Sequence, residues 1–289
     1  MQITIKSDKI TARVDTLGAE LCSVIGTDGH EYIYSGTHWG GHAPLLFPVC
    51  GSLLDGKYTT GGVEYSLAKH GFARRSEFEV VEAGEDYVKM TLAASEKTLA
   101  CYPFEFRLSA EYRVDGECLS ADFTVENRDE KVMPYLFGWH PAFTLGGEGD
   151  IGGFMLDFGC DGPFVMHPLK SGLPFLTGEE VDFPLESGLY RLDERQIYEN
   201  DTLILTGTPG EVRLYGAGDI HEVDVKWSEN LPYLCIWKWP DQAARYLCIE
   251  PWSGVPSSGD AAENFDEKPM DRLPAGESAV YSYTVVFTK

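Results

Sequence analysis

The 289 residues carry 46 acidic against 23 basic side chains, a formal charge of -23, and are 43% hydrophobic and 12% aromatic. That apolar and aromatic content excludes a disordered chain. The negative field disfavours nucleic acid, anionic membrane and, at long range, phosphorylated ligands, which leaves a neutral small molecule as the easiest partner.

The N-terminal run Met1-Gln2-Ile3-Thr4-Ile5-Lys6 lacks the basic-then-apolar pattern of a signal peptide, and no apolar run approaches a membrane span. The expected compartment is the cytoplasm. Short segments of period two recur from the start: Ile3-Thr4-Ile5, Ile10 to Val14, Phe78 to Val81 and Tyr87 to Leu92. The clearest is Phe104 to Val114, followed after Asp115-Gly116 by Leu119 to Val125. An Asp-Gly step between two alternating runs predicts a hairpin, because glycine accepts the positive φ that the tight turn requires. Ala279 to Phe287 predicts a closing strand. Helical spacing is confined to short stretches such as Ser95 to Leu99. The 31 glycines and 16 prolines are scattered as turn punctuation rather than gathered into a linker. A single, mostly antiparallel all-β domain over 1–289 is therefore expected, built as a large sandwich. Leu145 to Gly153, with Glu148 and Asp150, reads as a surface loop rather than a phosphate cradle, since no apolar helix follows it.

Seven cysteines, an odd number, have no close Cys-x-x-Cys pair and read as reduced core residues. Cys248 shares a strand face with Glu250 by alternation, yet nothing beside it would make it a thiolate.

The stretch Tyr246-Leu247-Cys248-Ile249-Glu250-Pro251-Trp252 delivers one carboxylate at the end of an apolar run. Pro251 cannot donate to a ladder, so pairing is expected to stop at or beside Glu250. An acid beside Trp252 sits in a partly apolar mouth, where desolvation raises its pKa towards the range useful for proton transfer. Two histidine stretches stand beside it: Lys69-His70-Gly71-Phe72-Ala73-Arg74-Arg75, and Trp139-His140-Pro141-Ala142-Phe143. A carboxylate and an imidazole are the minimum for moving one proton on and another off one small molecule. Each histidine taken singly also fits a satisfied core residue.

The ordered motifs Gly18-Ala19-Glu20-Leu21, His42-Ala43-Pro44-Leu45-Leu46-Phe47-Pro48, His70-Gly71-Phe72-Ala73-Arg74, Trp139-His140-Pro141 and Glu250-Pro251-Trp252-Ser253-Gly254 resemble the aldose 1-epimerase (galactose mutarotase) superfamily, in particular its LacX-like branch. The resemblance spans nearly the whole chain. It implies a β-supersandwich with an open sugar cleft, and no cofactor or metal. It further implies Glu250 as general base on the anomeric hydroxyl, His140 as general acid on the ring oxygen, and His70 as a hydrogen-bonding partner of the sugar. Asp201 corresponds to an aspartate that grips hydroxyls, and Arg74 and Trp252 fall inside binding motifs. One position departs. Phe47-Pro48-Val49-Cys50-Gly51-Ser52 places Ser52 where LacX-like proteins carry an arginine, and serine offers no charged fork for a phosphate or carboxylate. Lys69, Arg74 or Arg75 are candidates to replace it. Ordinary pKa values of about 4.3 for Glu and about 6.5 for His mean that the imidazole must be held partly protonated, a task a nearby carboxylate can perform. Trp139, Phe143, Trp237, Trp239 and Trp252 supply flat walls or core.

Three other readings compete. The first is a carbohydrate-binding protein of the same fold without turnover. A second is a metal site of His38 and His42 with His70 or His140, opposed by Gly40-Gly41, which breaks the helix such spacing needs. The third is glycoside hydrolysis by Glu250 with Asp201. The oligomeric state is expected to be monomer or homodimer.

Overall fold

The Asp115-Gly116 step forms the predicted hairpin: Phe106–Asp115 pairs antiparallel with Cys118–Asn127, and Gly116 takes a φ of 56° in the turn. In this computed structural model, which describes residues 1–147, 151–216 and 221–289, that hairpin lies within a sheet of nine strands. Glu148 and Asp150, read as part of a surface loop, lie outside the described residues. Ser278–Thr288 pairs with Cys118–Asn127 on one side and with Glu222–Trp227 on the other, so the closing strand sits inside this sheet. Along Cys118–Asn127 burial alternates as the period-two sequence predicts, Leu119, Ala121, Phe123 and Val125 pointing inwards.

A second sheet of eight strands faces it. Its central member, Tyr246–Trp252, is buried at every position. Both faces are covered, which is why the sequence reads there as one continuous apolar run. Leu247 and Ile249 point into the main core, while Tyr246, Cys248, Glu250 and Trp252 occupy the opposite face. Aromatic rings fill the space between the sheets: Phe123 lies 5.9 Å from Trp139, and Trp139 5.2 Å from Tyr283, centroid to centroid. The hydrophobic cluster runs from Ile5 to Phe287. The fold is a two-layered, mostly antiparallel β-sandwich.

Pro251 does not end the strand. Leu234 is its cross-strand partner, and Tyr233 partners Trp252. On the other edge the amides of Ile249 and Ser253 donate to the carbonyls of Pro141 and Phe137, and Pro251, between them, has no N–H to give. The missing bond falls where the neighbouring chain breaks into two short strands, Gly138–Trp139 and Ala142–Thr144, with His140 and Pro141 in the gap. The proline's effect is local: it opens one rung beside His140 and leaves the strand intact.

Among the described residues, two short α-helices punctuate the sheets. Glu96–Leu99 starts at Ser95 through a reciprocal capping box with Thr98, as its sequence suggests. Glu194–Asn200, capped by Asp193, is the longer one and its sequence signal is weak, with only Ile197 buried. None of the described helices is long and apolar enough to cross a membrane. No cysteine is paired among the described residues; Cys22, Cys50, Cys235 and Cys248 are buried as expected, whereas Cys160 is exposed.

Candidate active site

Glu250 reaches the floor of an open cleft with a cavity volume of about 210 Å³. His140, His70, Asp201, Arg74, Lys69, Trp252, Trp39, Trp237 and Trp239 line the same cleft. Chain segments from residue 39 to residue 252 thus converge on the outer face of one sheet.

Each side chain is placed by a local device. His140 follows Trp139, whose indole turns into the core and donates to the Ala43 carbonyl, so alternation turns the imidazole to the cleft. Gly138 lies opposite Trp252, and a Cβ there would come within 2.5 Å of the indole, so only glycine lets Trp252 fold across the strand. His70 has a φ of 65°, unusual for a residue with a side chain. It is held by its N–H donating to the Gly51 carbonyl and by the Gly51 N–H donating to Nδ1. The second bond leaves the proton on Nε2 as a donor. Gly71 permits this approach, because a Cβ there would meet the Phe47 carbonyl oxygen at 2.1 Å.

The chemistry centres on one contact. His140 Nε2 lies 3.1 Å from Glu250 Oε2, and the two side chains are only 8% and 1% exposed. Both Glu250 oxygens and His140 Nδ1 are buried without a hydrogen bond of ordinary geometry within the protein. A buried polar atom left unpaired costs on the order of 1–3 kcal/mol, so three of them at one point mark the cleft floor as a candidate site for a polar ligand. Burial pushes the Glu250 carboxyl well above the usual carboxylate range, against the pull of Lys69. Burial likewise draws His140 down to about 3, with Lys69 and Arg74 adding to the effect, and holds His70 well below its ordinary value. The sequence suggested that a carboxylate would keep the imidazole charged; desolvation outweighs it. Both shifts favour the uncharged forms, a protonated carboxyl and a neutral imidazole.

The aromatic walls are Trp39, 4.8 Å from His140 in a stacked arrangement, and Trp237, 5.6 Å away edge-on. Trp252 stands 5.7 Å from His70.

Residues 1–156 match the family described as aldose 1-epimerase. That span is more than half of the chain. The chain belongs to the aldose 1-epimerase family. It is similar to the chromosomal LacX protein of Lactococcus lactis subsp. lactis, 29% identical over 93% of each chain. Among solved structures it resembles a galactose mutarotase-related enzyme from Lactobacillus acidophilus, with a TM-score of 0.91 at 27% identity over 100% of this chain and 98% of that one. A galactose mutarotase-like protein from Lactobacillus casei ATCC 334 also has a TM-score of 0.91, at 28% identity over 99% and 100%.

Of the positions inferred from the epimerase motifs, Glu250, His140, His70, Asp201, Arg74 and Trp252 line the cleft. Ser52 does not; it is half-buried, and its neighbour Gly51 forms the wall instead. Trp139 and Phe143 belong to the core rather than to the cleft wall. Asp201 caps the C-terminus of Glu194–Asn200 with a φ of 58°, a position set by a helix that the sequence signals only weakly. Trp39 escaped notice as a wall, although Gly40-Gly41 after a tryptophan was a usable sign: a Cβ on Gly41 would meet that ring at 2.7 Å. His38 lies against Asp241 and His42 against Glu20, so the two histidines of the metal reading face different partners. Cys248 sits with His140 and Glu250, but burial pushes its thiol well above its ordinary value, away from nucleophilic use.

Proposed function

We propose that this cleft interconverts the α and β anomers of an aldose by acid–base ring opening. The contact between His140 and Glu250 at the cleft floor, with its unsatisfied oxygens, carries this reading. Sugar hydroxyls donating to Glu250 stabilise the carboxylate, as Lys69 already does, and send the shared proton to His140. Glu250 then takes the proton from the anomeric hydroxyl as His140 gives its own to the ring oxygen, and the C1–O5 bond breaks. The open aldehyde rotates about C1–C2. Ring closure on the other face reverses both transfers, so the protein ends as it began and no redox step is involved. His70 donates from Nε2 to a sugar oxygen, Asp201 accepts from hydroxyls, and Trp39, Trp237 and Trp252 pack against C–H faces.

Polarimetry or NMR exchange on freshly dissolved aldoses tests this directly. The wild type should speed equilibration and Glu250→Gln should not, while still binding sugar weakly. A cytoplasmic binding protein without turnover, monomeric or dimeric, would give sugar-dependent fluorescence from the tryptophans with no acceleration at all.

A further inference from the structure

His140, Cys248 and Glu250 form a donor set that proton transfer uses only in part. A ring nitrogen of the first, the thiol sulfur of the second and a carboxylate oxygen of the third lie within 4.8 Å of one another, and all three residues are buried. Strand register makes this cluster. Cys248 and Glu250 are two apart on one strand and share a face, while Ala142 pairs with Cys248 and Gly138 with Trp252, which leaves His140 opposite Glu250 in the gap between the two short strands. Both Glu250 oxygens and His140 Nδ1 are enclosed without a hydrogen bond, on side chains only 1% and 8% exposed.

The spacing suits an ion. Ligand bonds of about 2.0–2.3 Å in a tetrahedron put donor atoms about 3.3–3.7 Å apart, and the 3.1 Å between His140 Nε2 and Glu250 Oε2 is already close to that. Sulfur, imidazole nitrogen and carboxylate oxygen together suit borderline and soft divalent ions, whereas magnesium and calcium prefer oxygen alone. A divalent ion held by a thiolate, a carboxylate and a neutral imidazole carries no net charge, so burial opposes the whole less than it opposes any one of those charges singly. Three protein donors leave a fourth position, and the cleft in front of Glu250 and His140 leads to it. We propose that this cluster binds a zinc-like divalent ion, which inhibits anomer exchange by occupying the acid and the base together. The inhibition, though not the site, rests on the acid–base reading above. Cys248 thus gains a task that the proton transfers do not require, and sugar and ion compete for one floor. Glu20, Cys22 and His42 also lie within 4.8 Å of one another, but Glu20 Oε1 already accepts from the amides of His42 and Ala43, so that group serves as the internal control.

Two measurements on the full chain, first treated with a chelator, test the proposal. In the first, anomer exchange of the aldose that the wild type turns over fastest is followed with and without Zn²⁺. The ion should slow the wild type at least tenfold, less so as sugar concentration rises; chelator should restore the rate, and Mg²⁺ should leave it unchanged. In the second, Co²⁺ serves as an absorbing probe. A thiolate-to-cobalt charge-transfer band should appear at one equivalent and vanish in Cys248→Ala, and Glu250→Gln, which keeps the thiol, should weaken Co²⁺ binding at least tenfold. Either variant decides the matter if the other fails to fold. Absence of the band in the wild type overturns the proposal, as does a band that survives Cys248→Ala and vanishes in Cys22→Ala, which places the ion at the control group. Inhibition by Mg²⁺ as strong as by Zn²⁺ also overturns it. A band that depends on Cys248, with turnover undiminished by Zn²⁺, supports the metal site and moves the proton transfers away from Glu250 and His140. If no sugar is turned over, the Co²⁺ measurement alone decides whether the ion binds there.

Discussion

The two large sheets of this sandwich use their sequence differently. The nine-stranded sheet is built around long strands with alternating burial at its centre, such as the ten residues of Cys118–Asn127 and the eleven of Ser278–Thr288. One face is packed and the other is wet, with ion pairs such as Arg213–Asp224 spread over it. The eight-stranded sheet has short strands, a broken neighbour at His140-Pro141 and a central strand covered on both faces, with a carboxylate in the middle. The first sheet follows local rules; the second breaks them at the place where protons would move. Regularity here goes with scaffold, and irregularity with chemistry.

That contrast predicts that substitutions in the two sheets fail in opposite ways. The largest effect is expected for Glu250→Gln, which should reduce kcat for anomer exchange about 10³–10⁴-fold with the fold intact. Near-normal turnover would show that the base is elsewhere. Phe123→Ala in the regular sheet should remove about 3–5 kcal/mol of stability, read by denaturant unfolding, while the shape of the pH–rate profile stays the same. His140→Asn should lower the rate about 10²–10³-fold and abolish one limb of a bell-shaped profile; an unchanged bell would break the assignment.

The irregular sheet should also carry a stability penalty, which has a definite sign. Burial raises the Glu250 pKa in the folded state above its unfolded value of about 4.3. The stability this group contributes is full below that unfolded value and is lost as pH rises towards the folded one. Glu250→Gln has no such loss, so it should match the wild type in melting temperature near pH 4 and exceed it increasingly at neutral pH and above. His140 runs the other way: its folded value of about 3 lies below the unfolded value of about 6.5, so the stability it contributes falls as pH drops through that window. His140→Asn should therefore resist acid better than the wild type between those limits. A Glu250→Gln curve parallel to the wild type's at all pH values would mean that the carboxylate is not desolvated in the fold.

Much of this architecture was legible before any coordinates. The Asp115-Gly116 hairpin and the closing strand follow from period-two burial and turn chemistry, both local effects. Of the seven residues that the family motifs singled out, six line one cleft. What stayed hidden depends on long-range packing. Pro251 looked like a strand end, because sequence cannot say which edge its missing N–H faces or that the partner is already interrupted there. Ser52 looked like a wall, yet the turn that holds His70 presents Gly51 instead. Trp39 comes from a loop whose position over His140 no spacing rule encodes. The protonation of His140 was misjudged because desolvation depends on what covers a residue, not on its sequence neighbours.

The smallest expected effect makes the contrast sharpest. Lys226 and Glu211 are cross-strand partners on the wet face of the regular sheet, 2.6 Å apart, with side chains 60% and 50% exposed. Water screens such a pair, and holding two long side chains together offsets much of the attraction. Lys226→Ala should change stability by no more than about 0.5 kcal/mol at low salt and by less still at 1 M salt, where charges beyond about 3 Å are screened. Exchange kinetics should not change. A loss well above 1 kcal/mol, or one that persists in high salt, would mean that the outer face of the regular sheet also holds a specific arrangement, and the division between scaffold and chemistry would no longer follow the two sheets.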